Sequence, residues 1–447
     1  MNTKLKKRIA SLFLPLLIVL ALPFGISFSQ AIVLSTLIFT LTVWTFNLFS
    51  KAYTSFILIV IFIIFGNTPV ERILFFPLSS DFFLILLAFL FSDGVIKSGL
   101  IQKLIKPYIN LFVTSALKFL FLIVFLTTIM IFIIPQPFAR LIFISILLNE
   151  VMTDLEFEKK KKGLFLFSTY IISMFTNNFF VKGDIVLNKA LIQISGISIS
   201  ESQWIEYFFV PTFAMLVLTL IIFLFLYKND IKIEKTSNKI TREYFNTSEK
   251  WSLFLISIVF VLWSLEGVLK IPGVFIILLG VFILYIRRFL KFQDLKNIDW
   301  GLMVFLTATF AIGPAMSGSG IANILFGYIT PLFPNTMSFF LLLAIVLSTI
   351  VIHMFLGSLV TTLSVVIPGL AIITSGVIPE LPMALLVFVA IFAHFILPFH
   401  NVILVIGEGY GFFDSKPVIR FGFVATFITL IGIFFFFIPW WRFIGVL

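Results

Sequence analysis

The sequence predicts an all-α polytopic membrane protein with about eleven spans, two re-entrant helical hairpins and an inverted repeat. Of its 447 residues 61 % are apolar and 11 % charged, too few polar side chains to cover a globular protein of this length. Apolar stretches of about 18 residues or more recur along the chain, each able to cross a hydrocarbon core of about 30 Å as a helix. The Lys and Arg residues behind the net charge of +11 fall mainly in short connections on one side of the alternation, the pattern of cytoplasmic loops and not of a nucleic-acid surface. A β-barrel would show segments of about ten residues with alternating polarity instead.

Lys4, Lys6, Lys7 and Arg8 precede an apolar run that continues to about Phe28 without a small-residue cleavage pattern, so 9–28 is expected as a retained first span and not a cleaved signal. Spans follow at 30–50, 54–66 and 80–97. The stretch 115–152 has room for two helices and is interrupted by Pro135-Gln136-Pro137, which predicts a hairpin that enters and leaves by one side. A long span at 164–193 is broken around Lys182-Gly183-Asp184, where glycine permits local unwinding. The span 204–227 closes the first half, and 228–250, the only extended polar stretch, reads as a cytoplasmic linker.

The second half repeats the order. Spans are expected at 251–270, 273–286 and 301–318, a hairpin at 336–376 interrupted at Gly357-Ser358, a long interrupted span at 381–411 and a closing span at 418–438. DFFLILLAFLFSDGVIKSGLIQKL at 81–104 parallels DWGLMVFLTATFAIGPAMSGSGIANIL at 299–325. The repeats are thus 1–227 and 251–447, with opposite orientation. Broken backbone at membrane depth survives only where protein or a wet cavity surrounds it. Lys4–Arg8, Lys51, Lys97–Lys106, Lys159–Lys162, Lys228–Lys250, Arg287–Lys296 and Lys416 with Arg420 share one side, against little more than Arg72, Lys189, Lys270 and Arg442 on the other. An inner-membrane protein with its N-terminus in the cytoplasm and its C-terminus outside is expected.

The chain has no cysteine, which excludes disulfides and thiolate chemistry, and three histidines argue against a dedicated zinc centre. Neither a metal nor another cofactor is predicted. The Gly-x-Gly strings at 317–320 and 407–409 lack a P-loop lysine. Chemistry is concentrated at the interruptions. Arg140 lies in an apolar run, where a central arginine costs about 2.5–3.5 kcal/mol on insertion scales, and so needs a partner or water. Gln136 shares its helical face, and the helix opening after the proline break favours an anion. A guanidinium there suits a carboxylate, phosphate or sulfate; the alternative is a structural arginine paired with Asp184 or a backbone carbonyl. Thr176, Asn177, Asn178, Lys182 and Asp184 put several polar groups in mid-span, or else Lys182 and Asp184 neutralise each other. Ser358, Thr361 and Thr362 place three hydroxyls on one face at a helix start, although Ser358 alone also reads as an N-cap. Pro398, His400 and Asn401 form the counterpart in the second half, with Glu408 beyond, near the cytoplasmic end; His400 can carry a proton, and Glu408 can do so if desolvated or else is a simple interfacial carboxylate. His353 and His394 read as packing residues.

These strings resemble the divalent-anion:sodium symporter family of the ion transporter superfamily over nearly the whole chain. ILPFHNVILVIGEGYGFFDSKPVIRFG at 396–422 is similar to the family's second broken span, with Asn401 at the Asn of its Thr-Pro-Pro-Asn signature. ISGISISESQWIEYFFVPTFAMLVL at 194–218 resembles the segment that closes the first half. Elsewhere the signatures are altered. The second Ser-Asn-Thr becomes Ser358, Leu359 and Val360, the first is replaced by PQPFAR at 135–140, and the first Thr-Pro-Pro-Asn becomes Val181, Lys182, Gly183 and Asp184. The resemblance implies a homodimer with scaffold spans at 9–66 and 251–286.

The combined expectation is a secondary transporter, not an enzyme, that moves a small anion, a carboxylate or dicarboxylate, across the lipid bilayer by alternating access. Gln136, Arg140, Asn177, Asn178, Lys182, Asp184, Ser358, Thr361, Thr362, His400 and Asn401 are its expected binding residues. Arg140 and Lys182 would replace charge that sodium supplies in the resembled family, with coupling by a proton, through His400 or Glu408, or by exchange. A cation/proton antiporter built on Asp184 and Glu408, an inorganic oxyanion permease, and a membrane component acting on a lipid-linked substrate are the alternatives.

Overall fold

The computed structural model describes residues 26–46, 49–233, 245–265, 269–322, 324, 329–356, 358–396 and 400–447. The expected span 9–28 and the centre of the linker 228–250 lie largely outside them, as do Gly357 and Pro398. Among the described residues every regular element is helical. In chain order the helices are α1 (Phe28–Phe46), α2 (Lys51–Phe65), α3 (Val70–Ile73), α4 (Ser80–Lys97), α5 (Leu100–Phe112), α6 (Ala116–Ile133), α7 (Pro137–Asp154), α8 (Lys159–Thr176), α9 (Leu187–Ser195) and α10 (Glu201–Tyr227). The chain continues through α11 (Thr247–Ser264), α12 (Gly273–Ile286), α13 (Trp300–Gly318), α14 (Phe339–Leu356), α15 (Leu359–Ile373), α16 (Glu380–Phe392), α17 (Val402–Gly409), α18 (Ser415–Ile431) and α19 (Ile438–Phe443).

Lipid offers no hydrogen bonds to the backbone, so apolar runs satisfy their amides internally as helices, and polar residues set where these begin and end. Ser115, Gln136, Ser200, Asn246, Asp299, Ser358 and Asn401 each cap the helix that follows by accepting a backbone N–H. Both stretches expected as hairpins divide where expected: α6 ends at Ile133 and α7 opens at Pro137, while α14 ends at Leu356 and Ser358 caps α15. Both long spans are interrupted, the first between α8 and α9 and the second between α16 and α17.

The protein is a multi-pass membrane protein, but its crossings are unequal. Among the described residues, α6, α10, α13 and the continuous stretch Ser415–Phe443 are long and apolar enough to cross unaided. A fifth candidate is α4 with the start of α5, bent by 58°. The bend lies at Gly99, whose left-handed backbone (φ +65°) few side chains tolerate. Among the described residues six further apolar helical segments of 10–17 residues lie in α1, α2, α12, α14, α15 and α16. Among the described residues length and composition alone thus mark four or five unaided crossings, and the breaks divide other apolar runs into shorter helices.

The chain forms two compact units, each discontinuous in sequence. The first comprises Met1–Phe82, Ala190–Ser198 and Asp299–Ile391; the second comprises Phe83–Lys189, Ile199–Ile298 and Phe392–Leu447. Within the first unit α2 packs against α1 and α13, and α15 against α13 and α14. Trp44 donates through Nε1 to Thr54 Oγ1 at 3.0 Å and meets the Phe305 ring edge-on. The Thr68 hydroxyl bridges the carbonyls of Gly66 and Pro314 at 2.8 and 3.2 Å, and a side chain at Gly318 would collide with it.

The core of the second unit is aromatic. Phe223, Phe395, Phe413 and Phe421 surround the Phe167 ring with centroids 5.4–6.5 Å away. Such pairs add about 0.5–1.5 kcal/mol each beyond area burial. Trp440 and Trp441 donate to the carbonyls of Glu206 and Tyr207 at 2.7 and 2.9 Å, fastening the last helix to α10.

Candidate functional site

The polar groups of the second unit gather where its helices are interrupted. At the first interruption α6 ends with Ile134 out of helical conformation, and Pro137 starts α7 at a position that needs no N–H. Gln136 caps α7 by accepting the Ala139 N–H, and its own N–H donates to Ser92 Oγ at 3.2 Å. One turn into α7, Arg140 is only 1 % exposed. Its Nη1 donates to the Ile134 carbonyl at 2.9 Å, and its Nη2 donates to Asn177 Oδ1 at 2.9 Å and to the Gly183 carbonyl. One guanidinium thus ties the break between α6 and α7 to the break between α8 and α9. Asp184 lies close enough to act on it electrostatically.

The interrupted span keeps its own backbone satisfied. Asn188, near the start of α9, donates through Nδ2 to the Asn177 carbonyl at 2.9 Å and the Phe180 carbonyl at 3.0 Å, reaching back across the gap. Asp184 Oδ1 accepts the Val186 and Leu187 N–H groups at 3.0 and 2.9 Å, and Glu201 accepts the Val181 N–H at 3.1 Å. Lys182 donates to the Trp263 carbonyl and lies 5.5 Å from the centre of that residue's ring. Asn178 donates to the Met174 carbonyl at 2.6 Å, and its own carbonyl accepts Trp204 Nε1–H at 2.9 Å.

Several buried polar atoms here have no protein partner: Gln136 Nε2, Thr176 Oγ1, Asn178 Oδ1 and Asn188 Oδ1. A buried polar atom left unpaired costs about 1–3 kcal/mol, so a group of them at two interruptions calls for a polar visitor, water or solute.

In the second half of the chain, His400 Nδ1 accepts the Ile396 N–H at 3.2 Å, which leaves the ring proton on Nε2 when the imidazole is neutral. Asn401 caps α17, and α17 packs against α7 and α8, whose ends carry Arg140 and Asn177. Glu408, near the far end of α17, accepts the Ser415 hydroxyl.

Helices α14 and α15, the stretch expected as the second hairpin, belong to the first compact unit, and the hydroxyls at the start of α15 are satisfied locally. Thr361 Oγ1 donates to Ser358 Oγ at 3.0 Å and Thr362 Oγ1 to the Ser358 carbonyl at 2.8 Å. On the same helix Ser364 lines a cavity of about 1000 Å³ together with Gln193, Ser317, Pro368 and Glu380. Sequence reasoning passed over Ser364, Asn188, Ser92 and Trp263. Asn188 had a visible signal, a polar residue four positions beyond Asp184 inside an apolar run. Ser92 and Trp263 act across long sequence separations and had none.

A family model described as the sodium:sulfate symporter transmembrane region matches residues 2–447. The chain is also 24 % identical over 258 residues to the candidate malate transporter YflS of Bacillus subtilis (strain 168). That alignment takes in 54 % of each protein, so the chain spans about half the length of the curated relative it matches. With the family model matched across nearly every residue, the chain belongs to the sodium:sulfate symporter family, the divalent-anion:sodium symporters.

Proposed function

We propose that this protein is a secondary active transporter, not an enzyme, that carries a small dicarboxylate by alternating access and is coupled to protons or to exchange, not to sodium. The observation that carries this reading is the Arg140 guanidinium seated on the carbonyls of Ile134 and Gly183. In transporters with discontinuous helices, unwound backbone carbonyls and half-helix ends are where a coupling cation is held. Here a covalently attached cation occupies such carbonyls, and Lys182 likewise donates to the Trp263 carbonyl. A permanent charge supplies the counter-field for an anion without an ion having to bind first.

The solute would meet groups the protein leaves unfilled. Gln136 Nε2 can donate to a carboxylate beside the start of α7, whose dipole favours negative charge. Asn178 Oδ1 and Asn188 Oδ1 can accept from a hydroxyl or a protonated carboxyl. The family membership and the name of the malate transporter relative support a small carboxylate with such groups. An antiporter built on Asp184 and Glu408 is less well supported, since Asp184 caps α9 and Glu408 holds Ser415.

The same reading takes the two halves as inverted repeats, the hairpins as re-entrant, the N-terminus as cytoplasmic in an inner membrane, the C-terminus as outside and the working form as a homodimer. In its support, left-handed glycines recur in both halves: Gly99 and Gly320 follow α4 and α13, and Gly196 and Gly411 follow α9 and α17. Uptake of labelled malate, succinate, sulfate and phosphate into proteoliposomes, with sodium and proton gradients imposed separately, tests the reading. Dicarboxylate uptake driven by a pH gradient or by internal dicarboxylate is expected; uptake that requires sodium would sink the coupling scheme.

A further inference from the structure

We propose a second anion site in this protein, one that holds a phosphate-bearing group between the starts of α8 and α18, apart from the groups assigned to transport. A cavity of about 750 Å³ in the second unit is lined by Lys159, Lys160, Lys162, Lys416 and Arg420. Its acidic lining is Asp230 and Asp414, so the formal charges leave an excess of three positive. Among the described residues only Lys160 of the five cations forms an ion pair, with Asp230 at 2.6 Å. Arg420 Cζ lies 5.5 Å from the centre of the Tyr227 ring, which also lines the cavity, a cation–π contact that keeps the guanidinium beside it.

The two helix starts give an independent indication. Neither Glu158 before α8 nor Asp414 before α18 accepts a backbone N–H from its helix, so both sets of first-turn donors lack a side-chain cap. Lysines then fill those first turns: Lys159, Lys160 and Lys162 on α8, Lys416 on α18. Cations at a helix N-terminus oppose the macrodipole. Free N–H groups and lysines repel one another but are satisfied together by one anion with several acceptor oxygens. The volume falls within the range of about 300–1,000 Å³ usual for small-molecule pockets and exceeds what a single chloride needs. The shared chemistry is a phosphomonoester or pyrophosphate group, borne either by a soluble compound or by an anionic lipid headgroup. In the orientation proposed above, the site faces the cytoplasm.

The test uses the full chain reconstituted in phosphatidylcholine vesicles, with thermal unfolding as the readout. One arm adds pyrophosphate at ionic strength matched with chloride; the other replaces part of the lipid with phosphatidic acid. Each is repeated on the Lys162→Gln/Lys416→Gln/Arg420→Gln variant and on Arg140→Gln. Stabilisation by at least one probe is expected, retained in Arg140→Gln and weakened at least about tenfold in apparent affinity in the triple variant. A response to pyrophosphate assigns the site to a soluble anion; a response to phosphatidic acid alone assigns it to lipid. No response to either probe, or a response the triple variant keeps, overturns the proposal. A response lost only in Arg140→Gln also overturns it, because the anion then binds at the transport site.

Discussion

The guanidinium of Arg140 and the side-chain carbonyl of Asn177 are joined at 2.9 Å, and through that contact the first turn of α7 is bound to the residue that closes α8, where the chain leaves helical conformation before α9. Both groups are buried, and the same guanidinium also holds the carbonyls of Ile134 and Gly183. A planar fork can serve acceptors on two separate segments at once, which a lysine ammonium on a flexible stem cannot match in direction. Arg140→Lys should therefore retain the charge and still lose at least about tenfold of uptake, because at least one charge-assisted bond in this cluster is lost. Arg140→Gln should abolish uptake. Proteoliposome uptake beside a thermal unfolding scan reads both; wild-type uptake in either variant would remove Arg140 from the site.

Gly183 has a steric reason to be glycine. A Cβ at this position would run into the Asn177 carbonyl oxygen, the atom that Asn188 also uses. Gly183→Ala should cost about 1–3 kcal/mol, the range for overpacking a closed site. Gly409→Ala is the control, since a Cβ there meets nothing within 4 Å. Equal melting temperatures for the two variants would contradict the crowding described here.

Asn188 donates to two carbonyls and keeps its Oδ1 unpartnered. Asn188→Ala leaves the Asn177 carbonyl short of a donor, while the Gly183 N–H still serves the Phe180 carbonyl, and should destabilise by about 1–3 kcal/mol. Asn188→Asp should be worse, because carboxylate oxygens would then face carbonyl oxygens in a buried place. Chemical denaturation in detergent ranks the three proteins, and the ranking fails if the aspartate variant is the more stable of the two.

Acid should weaken the polar contacts outside the spans. The Asn246 backbone, and then Lys103, hold the Glu249 carboxyl below the ordinary glutamate range. Lys97, followed by the Lys291 backbone, does the same for Asp294. A carboxylate whose folded pKa is depressed contributes stability that is whole above its unfolded value of about 4 and is lost as pH falls through the folded value. Melting temperature should fall below about pH 4, and Glu249→Gln, lower at pH 7, should show a shallower acid limb. Parallel limbs from pH 7 to 3 would show that Glu249 is not a source of the slope.

Much of this arrangement is written in local sequence. The expected spans 80–97 and 273–286 coincide with α4 and α12 because Ser79-Ser80, Lys97, Pro272 and Arg287 fix their ends. Pro135 and Pro137 announce the break between α6 and α7 for the same reason, since proline cannot sustain a helix interior. The partners are less legible. Arg140 and Lys182 both reach backbone carbonyls, and every residue has one, so residue type carries no trace of the choice. The run Lys159–Lys162 reads as a connection but forms the first turn of α8, because its exposed charges remain solvated while the following apolar residues propagate the helix. The Ser358, Thr361 and Thr362 cluster is visible as a helix start, but that Thr361 bonds to the Ser358 hydroxyl and Thr362 to the Ser358 carbonyl depends on side-chain rotation that spacing does not specify.

The coupling ion can be decided at His400. Its Nδ1 accepts the Ile396 N–H, so protonating the ring would turn that acceptor into a donor and set two N–H groups against each other. Protonation should therefore release the backbone at the second interruption, a local opening that a proton can drive and sodium cannot drive by the same means. Under the proposed scheme, uptake should respond to an imposed pH gradient, be indifferent to sodium, and in His400→Gln lose the pH response while keeping exchange of internal for external dicarboxylate. Glutamine can still offer an acceptor to Ile396 N–H but has no proton to gain in this range. Proteoliposomes loaded with unlabelled dicarboxylate separate the two activities. A His400→Gln protein that follows the pH gradient as wild type does would place the proton elsewhere, with Glu408 the next group to substitute.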